Sequence, residues 1–362
     1  MRVHQSRHSQ SASRGGEFPP LAAEDMMPAA MTSEPIKVVN SFAGRRVLVV
    51  GDFMLDRYVV GDAERVSPEA PAVPVLRVVE REDRVGGAGF VALNVVALGG
   101  DVACFGLVGN DAPGTWLKSE LERAGAEVDG LLSIDHRPTT TKTRFVRRVE
   151  GRREHLLRVD EEDVSDLTPQ QSERLLARFR EQLASADAVT LQDYAKGVLT
   201  ATTCGALIAA ARAAGKPAIV DPARVGRWEK YAGATLLKPN RTELDAGLAR
   251  PVSDSELDAA CRSLIEGLRL EAILVTLGQR GARLVTRDRR GVDFPSAARE
   301  VVDPVGAGDA ALAALSMAVA AGATMEPAAA LANLAGGLEV AKAGCVPVPA
   351  GELRAELERG LA

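Results

Sequence analysis

Asp303-Pro-Val-Gly-Ala-Gly-Asp309 runs straight into residues 310–321, a stretch of helix formers with no breaker before Gly322. Two glycines around one small residue allow a tight turn whose amides can approach an anion. The residues that follow predict a helix beginning near Asp309. Free amides and the helix dipole make such an N-terminus a phosphate site. A carboxylate beside it has two readings. Asp309 either caps the helix, or accepts a proton from a group that attacks a bound phosphoryl.

Outward from this turn, short β-branched runs alternate with Ala/Leu-rich segments. Strands are expected at residues 47–50, 102–108, 188–191, 218–220, 236–237, 273–276 and 283–286. Helices are expected at 90–98, 115–124, 169–183, 200–214, 254–268, 310–321, 327–342 and 351–361. The alternation describes an α/β fold, a mostly parallel sheet flanked by helices. Residues 139–149 and 154–159 break the rhythm as two polar strands around Glu150-Gly151. With the proline-dotted, strand-like residues 59–79 they predict a small β-sheet lid, its segments near 56–80 and 136–160. Residues 1–35 show neither period and no signal-peptide core, and read as a flexible N-terminal tail before one domain over 36–362.

The 362-residue composition is ordinary for a globular protein, with 46% hydrophobic and 26% charged residues. A net charge of −5 argues against a dedicated nucleic-acid surface. Cys104, Cys204, Cys261 and Cys345 lie far apart with no C-x-x-C pair, which predicts neither a zinc site nor a disulfide framework and fits a cytoplasmic location. No apolar run is long enough to predict a membrane span.

Other motifs converge on the same kind of site, and each has a bland alternative. Gly86-Gly87-Ala88-Gly89 opens a helix that contains Asn94; it would let a ligand approach the backbone, or merely let a helix pack tightly. Asp52 and Asp56 follow the first strand, where open α/β sheets hold ligands, though loop carboxylates also sit in solvent. Asn240 and Glu243, within Lys238-Pro-Asn-Arg-Thr-Glu243, share one face of a first helical turn and equally suit a capping box. Thr276-Leu-Gly-Gln-Arg-Gly281 places a hydroxyl and two glycines at a strand end.

From Val38 to the C-terminus these motifs resemble the ribokinase/PfkB family of sugar kinases, which implies a ribokinase-like three-layer fold. Gly86, Gly87 and Asn94 match one signature. Asp303–Asp309 match the other, with Pro304 where Thr is usual. Gly51-Asp-Phe-Met-Leu-Asp-Arg-Tyr58, Ser67-Pro-Glu-Ala-Pro71, Arg137-Pro-Thr-Thr-Thr-Lys-Thr-Arg144, Leu157-Arg-Val-Asp160 and Asp193-Tyr-Ala-Lys-Gly197 are similar to the D-glycero-β-D-manno-heptose 7-phosphate kinases within that family. The resemblance implies transfer of the γ-phosphoryl group of ATP to the anomeric hydroxyl, towards ADP-heptose for lipopolysaccharide. It implies Asp309 as base and the amides of Gly306, Ala307 and Gly308 as anion hole. Asp56, Gly86, Gly87, Asn94 and Asp193 would meet the sugar. Thr276, Gly278, Gly281 and Asn333 would meet the nucleotide, with Asn240 and Glu243 organising Mg2+ through water; a monovalent cation such as K+ is compatible.

A phosphorylated sugar needs cations at its far end. Lys142 and Arg144 lie two apart on a predicted lid strand and project to one face, with Lys196 as a third; the alternative is a solvated charged hairpin. In many such proteins a nucleotidyltransferase with a His-x-Gly-His motif is fused to the kinase. The four histidines here all precede residue 156 and form no such motif, so that activity is expected on a separate polypeptide. A homodimer through the lid is expected because small β flaps leave edges to cover. A kinase for another sugar and a non-catalytic sugar- or nucleotide-binding regulator are the rival readings.

Overall fold

The computed structural model describes residues 29–70, 73–149, 152–224, 228–298 and 300–360. Its centre is a nine-stranded sheet built from β1 (Arg46–Gly51), β4 (Asp101–Gly109), β5 (Glu127–Ile134), β8 (Ala188–Gln192), β9 (Ala218–Asp221), β10 (Leu236–Leu237), β11 (Ala272–Thr276), β12 (Ala282–Thr286) and β13 (Val292–Phe294). The order is β13-β12-β11-β10-β9-β8-β1-β4-β5, parallel throughout except for the β11-β12-β13 edge. Strand β1 shows why both faces are covered. Val47 and Val49 enter one apolar core while Leu48 and Val50 enter the other.

Helices α1 (Ala29–Asn40), α2 (Ala88–Ala97), α3 (Ala112–Ala124), α8 (Ala307–Ala320), α9 (Met325–Glu339) and α10 (Ala350–Arg359) pack on the first face. On the second lie α4 (Pro169–Leu183), α5 (Ala201–Ala213), the short α6 (Arg241–Gly247) and α7 (Leu257–Leu268). Local chemistry starts several of them. Asp111 caps α3, Thr200 caps α5, and Thr168 with Gln171 forms a capping box on α4.

A second sheet of four strands, β3-β2-β6-β7, joins β2 (Phe53–Val66), β3 (Pro74–Gly87), β6 (Thr141–Val149) and β7 (Arg152–Glu161). Two antiparallel hairpins meet along the parallel β2–β6 seam. This is the polar β region expected from the sequence, though β2 and β3 reach well beyond residues 59–79.

Other departures are instructive. Helix α1 begins at Ala29, inside the stretch read as a tail; residues 1–28 of that stretch lie outside those described. Strand β5 was not expected, because its glycine and alternating acids mask an edge strand whose Leu131 and Leu132 enter opposite cores. Helix α8 starts at Ala307, earlier than expected, because Gly306 takes φ 104° and closes the turn at once.

Candidate active site

Four neighbouring parallel strands end together, and their terminal residues form the floor of the site. Asp52 follows β1, Gln192 ends β8, Asp221 ends β9 and Lys238 follows β10. The N-terminus of α8 stands over them. Asp309, in its first turn, is 9% exposed. Its side chain does not cap the helix. Oδ1 instead accepts hydrogen bonds from Gln192 Nε2 at 3.0 Å and from the Tyr194 hydroxyl at 3.0 Å. Burial, then the charge of Asp221, raises its pKa to about 7, against the pull of the Tyr194 bond and Lys238.

The turn before Asp309 is open to an anion. Gly306 is the N-cap and no side chain caps the helix, which leaves the first amides of α8 uncapped. A Cβ on Gly306 would stand 2.6 Å from Glu339 Oε1, so the close approach demands glycine as much as the positive φ does. One on Gly308 would lie 3.8 Å from the Lys238 ammonium, which therefore borders the turn. Lys238 is buried and paired with Asp221 at 2.9 Å. Burial opposes its charge, but Asp221 and Glu243 more than offset that and raise its pKa.

Asn240 and Glu243 do form the capping box that the spacing allows. Asn240 Oδ1 accepts from the Glu243 amide at 2.9 Å, and Glu243 Oε2 accepts from the Asn240 amide at 2.8 Å. The same geometry turns Glu243 towards Asp221 and Lys238, and burial with the Asp221 charge raises its pKa to about 7. Asn240 bridges to Thr276, so the two predicted nucleotide segments are adjacent. Beyond Thr276, Gly278 (φ 61°) and Gly281 (φ 87°) bracket a 3-10 turn closed by Leu277 N–H donating to Gly281 O at 2.7 Å. Asn333 donates to Pro295 O and holds the segment against which Gly281 packs.

Across from the floor, the second sheet sets Asp56 opposite Lys142 and Tyr58 opposite Arg144. Asp56 accepts from Arg144 at 2.6 Å, and Gly86 leaves the space its carboxylate fills. Gly87, at φ 57°, would clash with Asp52 O if it carried a Cβ. Among the described residues no carboxylate lies within ion-pair distance of Lys142. Its Nζ lies 3.1 Å from Met54 Sδ and 5.2 Å from the centroid of the Tyr194 ring, and burial lowers its pKa. Lys196 differs, being paired with Glu162 at 2.8 Å.

Two residues expected to meet the sugar also have structural partners of their own. Asn94 is buried and spends its amide on the backbone, donating to Phe90 O at 2.9 Å and accepting from Val348 N–H at 3.0 Å. Asp193 accepts from Ala195 N–H and the Tyr231 hydroxyl and pairs with Lys230, so it shapes the Tyr194–Lys196 turn from beneath. Sequence reading missed Gln192, Tyr194, Asp221 and Lys238 as site residues. Their signal was present, since each lies at or just past the carboxyl end of a parallel strand. Also missed was Glu339, fully buried, whose oxygens have no hydrogen-bond partner among the described residues; burial and the charges of Asp303 and Asp309 raise its pKa to about 8.

Comparison with known proteins identifies the family and the fold. The chain is 46% identical over 318 residues to Bifunctional protein HldE of Caulobacter vibrioides, covering 87% of this chain and 64% of that protein. It is 42% identical to Bifunctional protein HldE of Rhodospirillum rubrum, covering 89% and 64%. It thus spans about two thirds of the length of these relatives. Among solved structures, Arabidopsis thaliana ribokinase complexed with ribose and ATP superposes with a TM-score of 0.68 at 20% identity, over 87% of this chain and 99% of that one. The tetrameric inhibited form of Escherichia coli phosphofructokinase-2 gives 0.71 at 18% identity, over 88% and 99%. Residues 45–350 match the model of the pfkB family of carbohydrate kinases, and the chain belongs to that family.

Proposed function

We propose that this protein phosphorylates the anomeric hydroxyl of D-glycero-β-D-manno-heptose 7-phosphate with ATP, giving the 1,7-bisphosphate that leads towards ADP-heptose. The observation that carries the reading is a buried carboxylate, Asp309, beside an uncapped helix turn and beneath a sheet that holds a lysine, Lys142, with no ion-pair partner among the described residues. In the reaction the anomeric oxygen gives its proton to Asp309 and bonds to the γ-phosphorus, while the bond from that phosphorus to the departing ADP oxygen breaks. An anomeric hydroxyl is more acidic than an ordinary alcohol, so a carboxylate with a pKa of about 7 suits it near neutral pH. The amides of Gly306, Ala307 and Gly308, with the Lys238 ammonium, support the phosphoryl oxygens as their charge redistributes.

Asp56 orients the sugar hydroxyls, with Gly86 and Gly87 giving room, and Lys142, Arg144 and Lys196 take the 7-phosphate. The nucleotide lies along Thr276, Gly278, Gly281 and Asn240, with Asn333 steadying that wall. Glu243 and Asn240 are hard oxygen donors suited to Mg2+ through its water shell, and the divalent ion would neutralise the ATP phosphates. The Glu339 carboxylate behind Gly306, which no hydrogen bond satisfies among the described residues, suits a monovalent cation such as K+. Exposed Leu157 and Val159 lie on the lid face opposite Lys142 and Arg144, which supports a homodimer through the lid.

The test is ATP consumption on a panel of sugars and sugar phosphates, with the product identified by phosphorus NMR. The heptose 7-phosphate is expected to be used best and to gain an anomeric phosphate. Equal use of the unphosphorylated heptose would make the protein a kinase for another sugar. No consumption with any sugar would leave the binding-regulator reading.

A further inference from the structure

We propose that Tyr194 is a positioning residue for the reaction: its phenol holds Oδ1 of Asp309 so that Oδ2 is left to receive the substrate proton. The inference rests on the reading of Asp309 as the base. Both donors to Asp309, Gln192 Nε2 and the Tyr194 hydroxyl, bond the same oxygen at 3.0 Å, and among the described residues none bonds the other. The tyrosine is itself fixed from two directions. Its amide donates to Asp52 Oδ2 at 2.8 Å, which ties it to the floor of the site. Its ring carries the Lys142 ammonium, 5.2 Å from the centroid, which ties it to the lid. One phenol therefore connects the lid cation to the carboxylate, and neither contact needs a hydroxyl merely to fill space.

The hydroxyl also has an electrostatic task. Asp309 is faced by Asp221 from β9 and Asp56 from β2, whose charges disfavour its own, and its charge in turn raises the pKa of Glu339 from α9 and of Cys345 beyond it. The charge of Lys238 and the hydrogen bonds from the Tyr194 hydroxyl and Gln192 Nε2 favour the charged form of Asp309. Burial and the charge of Asp309 hold the phenol far above its ordinary pKa, so it stays a donor across the working range. Removing that donor should raise the pKa of Asp309 by roughly one to two units, the equivalent of a hydrogen bond to a charged group.

The carbon-13 shift of the Asp309 carboxyl, followed against pH in the ligand-free protein, tests this without turnover. In Tyr194→Phe the midpoint should rise by about one to two units, and the acid limb of kcat/KM should move with it. KM for ATP should stay within about threefold, and turnover should recover at pH values above the new midpoint. A fluorinated tyrosine at 194, a stronger donor of nearly the same shape, should move the midpoint down. An unmoved midpoint in the folded Tyr194→Phe protein overturns the proposal, whatever the enzyme phosphorylates. If that variant does not fold, the fluorotyrosine protein decides: a lowered midpoint supports the proposal and an unmoved one ends it. Should the midpoints shift as stated while the wild type phosphorylates no sugar, the proposed function fails and the hold of Tyr194 on Asp309 stands.

Discussion

The turn at the head of α8 and the inner face of the four-stranded sheet both suit phosphate, but by opposite means. At the turn, the attracting groups are backbone amides within three residues of one another, and the nearest side chain is a buried carboxylate. On the sheet they are side-chain cations on a strand some 160 residues earlier, set in place by pairing with β2. Amides cannot move or titrate, so the turn suits a charge that changes during reaction. Lysine and arginine side chains carry full charges that can form charge-assisted hydrogen bonds to a fixed dianion, so the sheet suits a group that is only held. The proposed division of labour follows from that contrast.

The sharpest way to break the contrast is at the turn. Asp309→Asn keeps the shape and removes the base, and turnover should fall by roughly 10²–10⁴-fold with folding and ATP affinity nearly intact. Steady-state kinetics at saturating substrates checks it; more than a third of wild-type turnover would remove Asp309 from the role of base.

On the sheet the expected effects are smaller and appear in binding. Lys142→Ala should raise KM for the sugar phosphate by about 10- to 150-fold and leave KM for ATP nearly unchanged. Lys196→Ala should weaken binding less, because its ammonium is already paired with Glu162. Arg144→Ala falls between them and also leaves Asp56 without its partner. If all three variants bind the sugar phosphate normally, the phosphate lies elsewhere.

The smallest effect is on stability. Asp309, Glu243 and Glu339 have folded pKa values of about 7, 7 and 8, raised chiefly by burial above those of the unfolded chain. Their stabilising contribution is complete in acid, below about pH 4, and is lost as the pH rises through 7 to 8. The ligand-free protein should therefore melt several degrees higher near pH 5.5 than near pH 8.5, and Asp309→Asn should narrow the difference. Calorimetry showing no such trend would mean that the carboxyls at the turn are less buried than their surroundings indicate.

Much of the site was legible because its motifs are local. Gly306–Asp309, the Asn240/Glu243 spacing and the Gly86-Gly87 pair each encode a turn or cap within a few residues, and the structure places all three about one cleft. Sequence showed only part of what a polar side chain does. Asn94 and Asp193, read there as ligand contacts, also bond to backbone groups and, for Asp193, to the Tyr231 hydroxyl. Only the fold brings those partners near.

By itself the sequence determined the alternation of strands and helices, the phosphate-binding turn and the polar β region, because hydrophobic period, glycine and helix caps act over a few residues. Tertiary structure alone decided that Gln192, Tyr194, Asp221 and Lys238 surround Asp309, and that Arg144 and Lys196 find carboxylates while Lys142 meets none among the described residues. Those outcomes depend on which strand ends become neighbours and on the register of β2 against β6. Contacts across a hundred residues, and the burial that shifts a carboxyl towards neutrality, exist only once the chain has closed around them.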